Sequence, residues 1–124
     1  EKLVSNKEPG IQNEVEKHGN ISLIIKQFDG VDAKTLRSFI DSAKNQIKSG
    51  VIVIGSVIDD KVILAAGVTN DLKGRFHAGN ILKEISSIVG GNGGGRPDMA
   101  QAGGTNPENL NEAMELARKI IKNT

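Results

Sequence analysis

The chain has 124 residues, with 16 Lys and Arg against 15 Asp and Glu, two His, three Phe and no Cys, Trp or Tyr. That length suits one compact domain, and 37% hydrophobic with 25% charged residues sets aside a disordered or membrane-embedded class. The absence of cysteine excludes disulfides, thiolate metal sites and a cysteine nucleophile, and it fits a cytosolic origin.

The first twenty residues read as a linker or the end of an upstream helical region. Pro9-Gly10 interrupts any regular element, and Ile11 to His18 is expected to form one or two helical turns ending at Gly19. Residues 21–124 then read as an α/β domain. Ile21 to Phe28 is a β-branched strand stopped by Asp29-Gly30. Asp32 caps a helix running to Ser49, whose apolar face is Leu36, Phe39, Ile40, Ala43 and Ile47. Gly50 is its expected left-handed stop. Val51 to Val57 lacks alternation, as a strand covered on both faces does, and it completes a βαβ unit expected to be parallel. This apolar run, the longest in the chain, is far below the ~18–20 residues of a bilayer span, and no stretch has the order of a secretory signal.

Asp59-Asp60 marks a hairpin turn into the strand Lys61–Val68, which makes the sheet mixed. After a loop over residues 70–75, a helix from Ala78 to Val89 presents Ile81, Leu82, Ile85, Ile88 and Val89 on one face and ends at Gly90-Gly91. Met99–Ala102 is a short edge strand. Thr105 with Glu108 has capping-box spacing, and Asn106-Pro107 fits an N-cap followed by a first-turn proline. The last helix buries Leu110, Ala113, Ala117, Ile120 and Ile121. The expected class is α/β: a mixed β-sheet flanked by helices on both faces, in the order β-α-β-β-α-β-α.

Charge is balanced except in one stretch. Residues 72–97 carry Lys73, Arg75, Lys83 and Arg96 against Glu84 alone, and seven of the 15 glycines lie between Gly90 and Gly104. An anionic partner would sit there, although such cations also occur as incidental surface charge. A glycine run lets backbone amides approach a ligand and curl into an anion-binding concavity, and Arg96 adds a fork of donors suited to phosphate. The phosphate motifs of nucleotide-binding proteins do not match: there is no Gly-x-x-x-x-Gly-Lys-Ser/Thr, and the glycines follow a helix instead of opening one.

The block Gly93-Gly94-Gly95-Arg96-Pro97-Asp98-Met99-Ala100-Gln101-Ala102-Gly103-Gly104 resembles the signature of the C-terminal domain of bacterial alanyl-tRNA synthetase. That domain is shared with the phosphoesterases named for their Asp-His-His motif. Leu36-Arg37, Val51-Ile52-Val53, Ala66-Gly67-Val68 and Ala78-Gly79 are supporting matches, in the expected order from Ile21 to the end. The phosphoesterase cousins typically follow the glycine run with His, where this chain has Arg96.

The resemblance implies the tail of a larger cytoplasmic ligase whose aminoacylation and editing sites lie upstream, the former using ATP with Mg and the latter a zinc. It implies no catalytic site, metal or cofactor in this stretch. The implied partner is tRNA, alanine tRNA in particular, bound at the elbow where the D and T loops meet. Further implied partners are the upstream synthetase domains and a second copy joined through the helical region that precedes this domain in the family. No membrane partner is implied. With 2% aromatics a base-stacking sheet is unavailable. Gly93, Gly94, Gly95, Pro97 and Met99 would instead pack on the elbow's outermost base pair, with Arg96, Lys73, Arg75 and Lys83 on flanking phosphates.

Several residues carry two readings. His77 is either an RNA donor or a surface histidine at a helix entry. His18 reads as surface, and without a local His/Asp/Glu cluster no metal site is expected. Asp98 reads as structural, capping or pairing with Arg96. Two other functions stay open: the substrate-binding half of a phosphoesterase acting on nucleotides or oligonucleotides, and an oligomerisation module.

Overall fold

The computed structural model describes residues 15–19 and 21–123. Among them the chain runs β1 (Val15–His18), β2 (Ile21–Asp29), α1 (Ala33–Ile47), β3 (Gly50–Ile58), β4 (Lys61–Val68), α2 (Ala78–Ser86), β5 (Asn92–Gly95), β6 (Met99–Gly104) and α3 (Leu110–Lys122), with short 3-10 turns at Asn70–Leu72, Ser87–Val89 and Pro107–Asn109. The strands form one sheet in the order β1-β2-β3-β4-β6-β5. Only β2 and β3 are parallel, joined by α1 as the βαβ reading requires; every other neighbouring pair is antiparallel.

Helices cover both faces. On one, Leu36, Ile40 and Ala43 of α1 pack on Ile24, Ile52, Ile54 and Ala65. On the other, Ile81, Leu82 and Ile85 of α2 and Leu110, Met114, Ala117 and Ile121 of α3 pack on Leu23, Val51, Val53, Leu64 and Val68. This double cover explains why β3 and β4 are apolar without alternation. Asp32 caps α1 by accepting from the Thr35 amide at 2.9 Å, and Asp59 and Asp60 both adopt positive φ, +54° and +63°, as a two-residue hairpin turn demands.

Four expectations need correction. Residues 15–18 are a strand, paired from Val15 opposite Ile24 to His18 opposite Ile21. A one- or two-turn helix is unstable alone, whereas the ladder with β2 satisfies the same backbone groups. The beginning of that expected helix, and the break at Pro9-Gly10, lie outside the described residues. Gly50 is the first residue of β3, and the helix stop with positive φ is Lys48 at +66°. The strand Met99–Gly104 is not the sheet edge, because Asn92–Gly95 pairs on its far side. Finally, Thr105 and Glu108 do not begin the last helix: Pro107 opens a 3-10 turn, the Thr105 hydroxyl donates to the Gly90 carbonyl at 3.5 Å, and α3 starts at Leu110.

Candidate nucleic-acid interface

The conspicuous block Gly93–Gly104 folds as the β5–β6 hairpin, and the Arg96 amide closes its turn by donating to the Met99 carbonyl at 3.1 Å. Gly94 and Gly95 are close to fully extended, at φ 159° and 157°. The glycines are therefore the outer strand of the sheet and not a loop of inward-curled amides, which corrects the expectation of a glycine-rich loop. The cause is steric. A Cβ on Gly93 would lie 2.2 Å from that of Ala102, and one on Gly95 would lie 2.8 Å from that of Ala100. At Gly93 and Gly95, only glycine can lie that close to β6.

Two helices clamp the hairpin from opposite faces. On one side, the Ala78 and Gly79 amides of α2 donate to the Pro97 and Arg96 carbonyls at 2.9 and 3.2 Å. A Cβ on Gly79 would stand 2.4 Å from the Gly95 carbonyl oxygen, so this contact requires glycine there. The next two amides are taken up by His77: Asn80 donates to its Nδ1 at 3.1 Å and Ile81 to its carbonyl at 3.0 Å. The Ala78, Gly79 and Asn80 amides are thus satisfied within the protein and Ile81 makes the first intrahelical bond, so none of these four amides is left for an anion. On the other side, Lys44 of α1 donates to the Asp98 carbonyl at 2.7 Å, which also accepts from the Val68 amide at 3.0 Å. Gly67 makes room for this approach; a Cβ there would be 2.4 Å from Ile40 Cγ2 and 3.0 Å from Lys44 Cε. The glycines of the Ala66-Gly67-Val68 and Ala78-Gly79 matches are thus the places where the clamps touch.

The expected site residues fall into three groups. Gly93, Gly94, Gly95, Arg96, Pro97 and Met99 share the hairpin. The Arg96 side chain is 78% exposed and its nearest carboxylate, Asp98 Oδ1, is 3.9 Å away; the anticipated pairing exists only at long range. Pro97 is exposed, and Met99 is half-buried against the α1 side of the core. His77 adjoins the hairpin as the α2 cap, and because Nδ1 accepts, the neutral ring carries its proton on Nε2.

Lys73 and Arg75 form the second group, in the exposed turn between β4 and α2. Arg75 lies over the Phe76 ring at 5.2 Å. Asp71 anchors this turn by accepting from the Ser49 and Thr69 hydroxyls, and those two bonds, Ser49 first, hold its carboxyl below the usual carboxylate range. Lys83 stands apart on the exposed face of α2, more than a helical turn from the hairpin tip.

Arg37 is the residue that a linear reading of charge misses. It is exposed on α1 and faces an open groove of about 290 Å³ that it shares with Gly94, Gly95, Arg96, Met99 and Gln101. The available signal was its place in the Leu36-Arg37 match. Among the described residues, no three His, Asp or Glu side chains are grouped to hold a metal, and no helix is long and apolar enough to cross a membrane.

Comparison with known proteins agrees with this geometry. The model of the family described as the DHHA1 domain matches residues 20–123. The alanine–tRNA ligase of Pseudoalteromonas translucida is 49% identical over 115 residues, covering 93% of this chain and 13% of the ligase. That of Haemophilus influenzae is 48% identical over 102 residues, covering 82% and 12%. The chain therefore spans only about an eighth of the length of these relatives. The C-Ala domain of Aquifex aeolicus alanyl-tRNA synthetase superposes with a TM-score of 0.81 at 30% identity, covering 87% of this chain and 97% of that domain. A pGpG-specific phosphodiesterase of Vibrio has a TM-score of 0.52 at 17% identity, over 89% of this chain and 36% of the enzyme, which is a likeness of fold alone.

Proposed function

The chain belongs to the DHHA1 domain family, and on that premise we propose that it is the tRNA-binding C-terminal domain of an alanyl-tRNA synthetase, gripping the tRNA elbow without itself reacting. The observation that carries this reading is the hairpin tip: an exposed Arg96 beside Pro97, on a backbone clamped by α1 and α2. A rigid, nearly side-chain-free edge can lie flat against the outermost base pair of a folded RNA, with Arg96, Lys73 and Arg75 reaching neighbouring phosphates and His77 offering Nε2–H. Lys83, further along α2, would touch only a backbone that follows that helix. Recognition of this kind reads shape more than sequence. It suits a domain that holds alanine tRNA in place while the synthetase's aminoacylation and editing centres act on its distant acceptor end.

With about three phosphate contacts, affinity falls with salt at a log–log slope of about −2 to −3. Nuclease footprinting tests the reading. Protection of the D and T loops is expected, weakened by Arg96→Ala; protection confined to the acceptor end would defeat the assignment. The phosphoesterase alternative predicts binding to short single strands and not to folded tRNA. Arg96, in place of the His typical of those enzymes, speaks for the synthetase.

A further inference from the structure

The proposed contacts Lys73, Arg75, His77 and Lys83 all belong to the α2 side of the hairpin, yet the groove containing Arg37 opens on the α1 side. We propose that this groove is a second, opposed contact in which Arg37 and Arg96 close on one phosphodiester of the bound RNA; the inference rests on the tRNA-binding reading and extends it.

Four observations support the pincer. Arg37 sits in the second turn of α1 between the fully buried Leu36 and Ile40, so its backbone is fixed while its side chain is exposed. The groove walls are tied together at both ends. Gln101 Nε2 donates to the Ala33 carbonyl at 3.3 Å and Lys44 to the Asp98 carbonyl at 2.7 Å, so the span between α1 and β6 is set before any ligand arrives. The stretch of β5 that lines the groove with the two arginines is Gly94-Gly95, which presents no side chain to hold a phosphate away from the backbone.

The fourth observation is charge. No carboxylate lines this groove, and Arg37 takes part in none of the ion pairs among the described residues. The neighbouring depression of about 510 Å³ provides the contrast. There Lys44 and Lys48 face Asp71 and Asp98, so two ammonium groups are offset by two carboxylates. Guanidinium groups suit the proposed task because their planar fork matches phosphate oxygens in pairs.

The test is equilibrium binding of the 124-residue chain to an alanine tRNA transcript across a salt series. Arg37→Ala is expected to weaken binding about tenfold and to reduce the salt slope by about one, with Arg37→Lys restoring the slope but only part of the affinity. If both arginines hold the same phosphate, the Arg37→Ala/Arg96→Ala double variant loses less than the product of the single losses. Unchanged affinity and slope for Arg37→Ala, with Arg96→Ala still weakened, overturns the pincer and leaves the tRNA reading standing. Strictly multiplicative losses also overturn a shared phosphate. Absence of tRNA binding by the unaltered chain overturns both.

Discussion

Arg118 and Arg96 occupy different regions of this domain and meet opposite surroundings. Arg118, on α3, is enclosed by carboxylates. Its Nη2 lies 2.7 Å from Glu16 of β1, its Nη1 2.6 Å from Glu115, and Lys122 adds a contact to Glu16 at 3.6 Å. These bonds hold the Glu16 carboxyl below its ordinary range and raise Arg118 further. Arg96, at the hairpin tip, has one carboxylate at 3.9 Å and a side chain 78% exposed. The first arginine fastens an edge strand to a helix. The second is held out on a rigid turn with its donors available. Formal charge along a sequence does not distinguish these cases; the partners do.

The most drastic way to break this contrast is Gly79→Val, which drives a side chain into the Gly95 backbone. Overpacking of this kind should cost about 2–3 kcal/mol and lower Tm by roughly 10 °C, and tRNA binding should fall with it because the hairpin loses its seat. Thermal denaturation alongside binding checks both.

A reciprocal pair of variants sharpens the contrast. Arg96→Ala should weaken tRNA binding about tenfold while leaving Tm almost unmoved. Arg118→Ala should do the reverse, costing about 1 kcal/mol in urea denaturation with affinity unchanged. If both variants moved both measurements alike, the two regions would not be distinct.

The smallest expected effect is in pH dependence. Glu16 titrates below its ordinary 4.5 in the folded chain, so the unfolded state binds more protons in that window. Its contribution is complete above 4.5 and disappears as pH falls through the lower folded value. After solvent screening it amounts to a few tenths of a kcal/mol. Urea midpoints measured from about pH 5 to pH 3 should fall less steeply for Glu16→Gln than for the unaltered chain.

Much of the fold was readable because its signals are local and periodic. The apolar face of α1, the two-residue turn at Asp59-Asp60 and the uninterrupted apolar runs of β3 and β4 each follow from neighbours in sequence. What was not readable depends on distant partners. Val15–His18 is a strand because β2 offers a ladder and Arg118, 102 residues away, receives Glu16. Asn92–Gly95 is a strand because β6 offers it a ladder, and Gly93 and Gly95 are held to glycine by Ala102 and Ala100 of that distant strand. In the candidate interface, the glycine block and Arg96 stood out by composition. Arg37 was hidden because it comes 59 positions before Arg96 and joins it only when α1 lies against the hairpin.

One consequence follows from the direction of the strands. Asp29, Asp59 and Asp60 gather where β2 ends and β3 turns into β4, whereas Lys48, Lys73 and Arg96 lie at the opposite end, where β4 finishes and β6 begins. Lys61 partly offsets the first group, and Asp71 and Asp98 partly offset the second, so a modest separation of charge along the strands remains although the formal net charge is only +1. Near a polyanion such a separation would produce a torque before any contact forms and turn the strand end that carries Arg96 toward it. Added salt should therefore slow the encounter as well as weaken the finished complex.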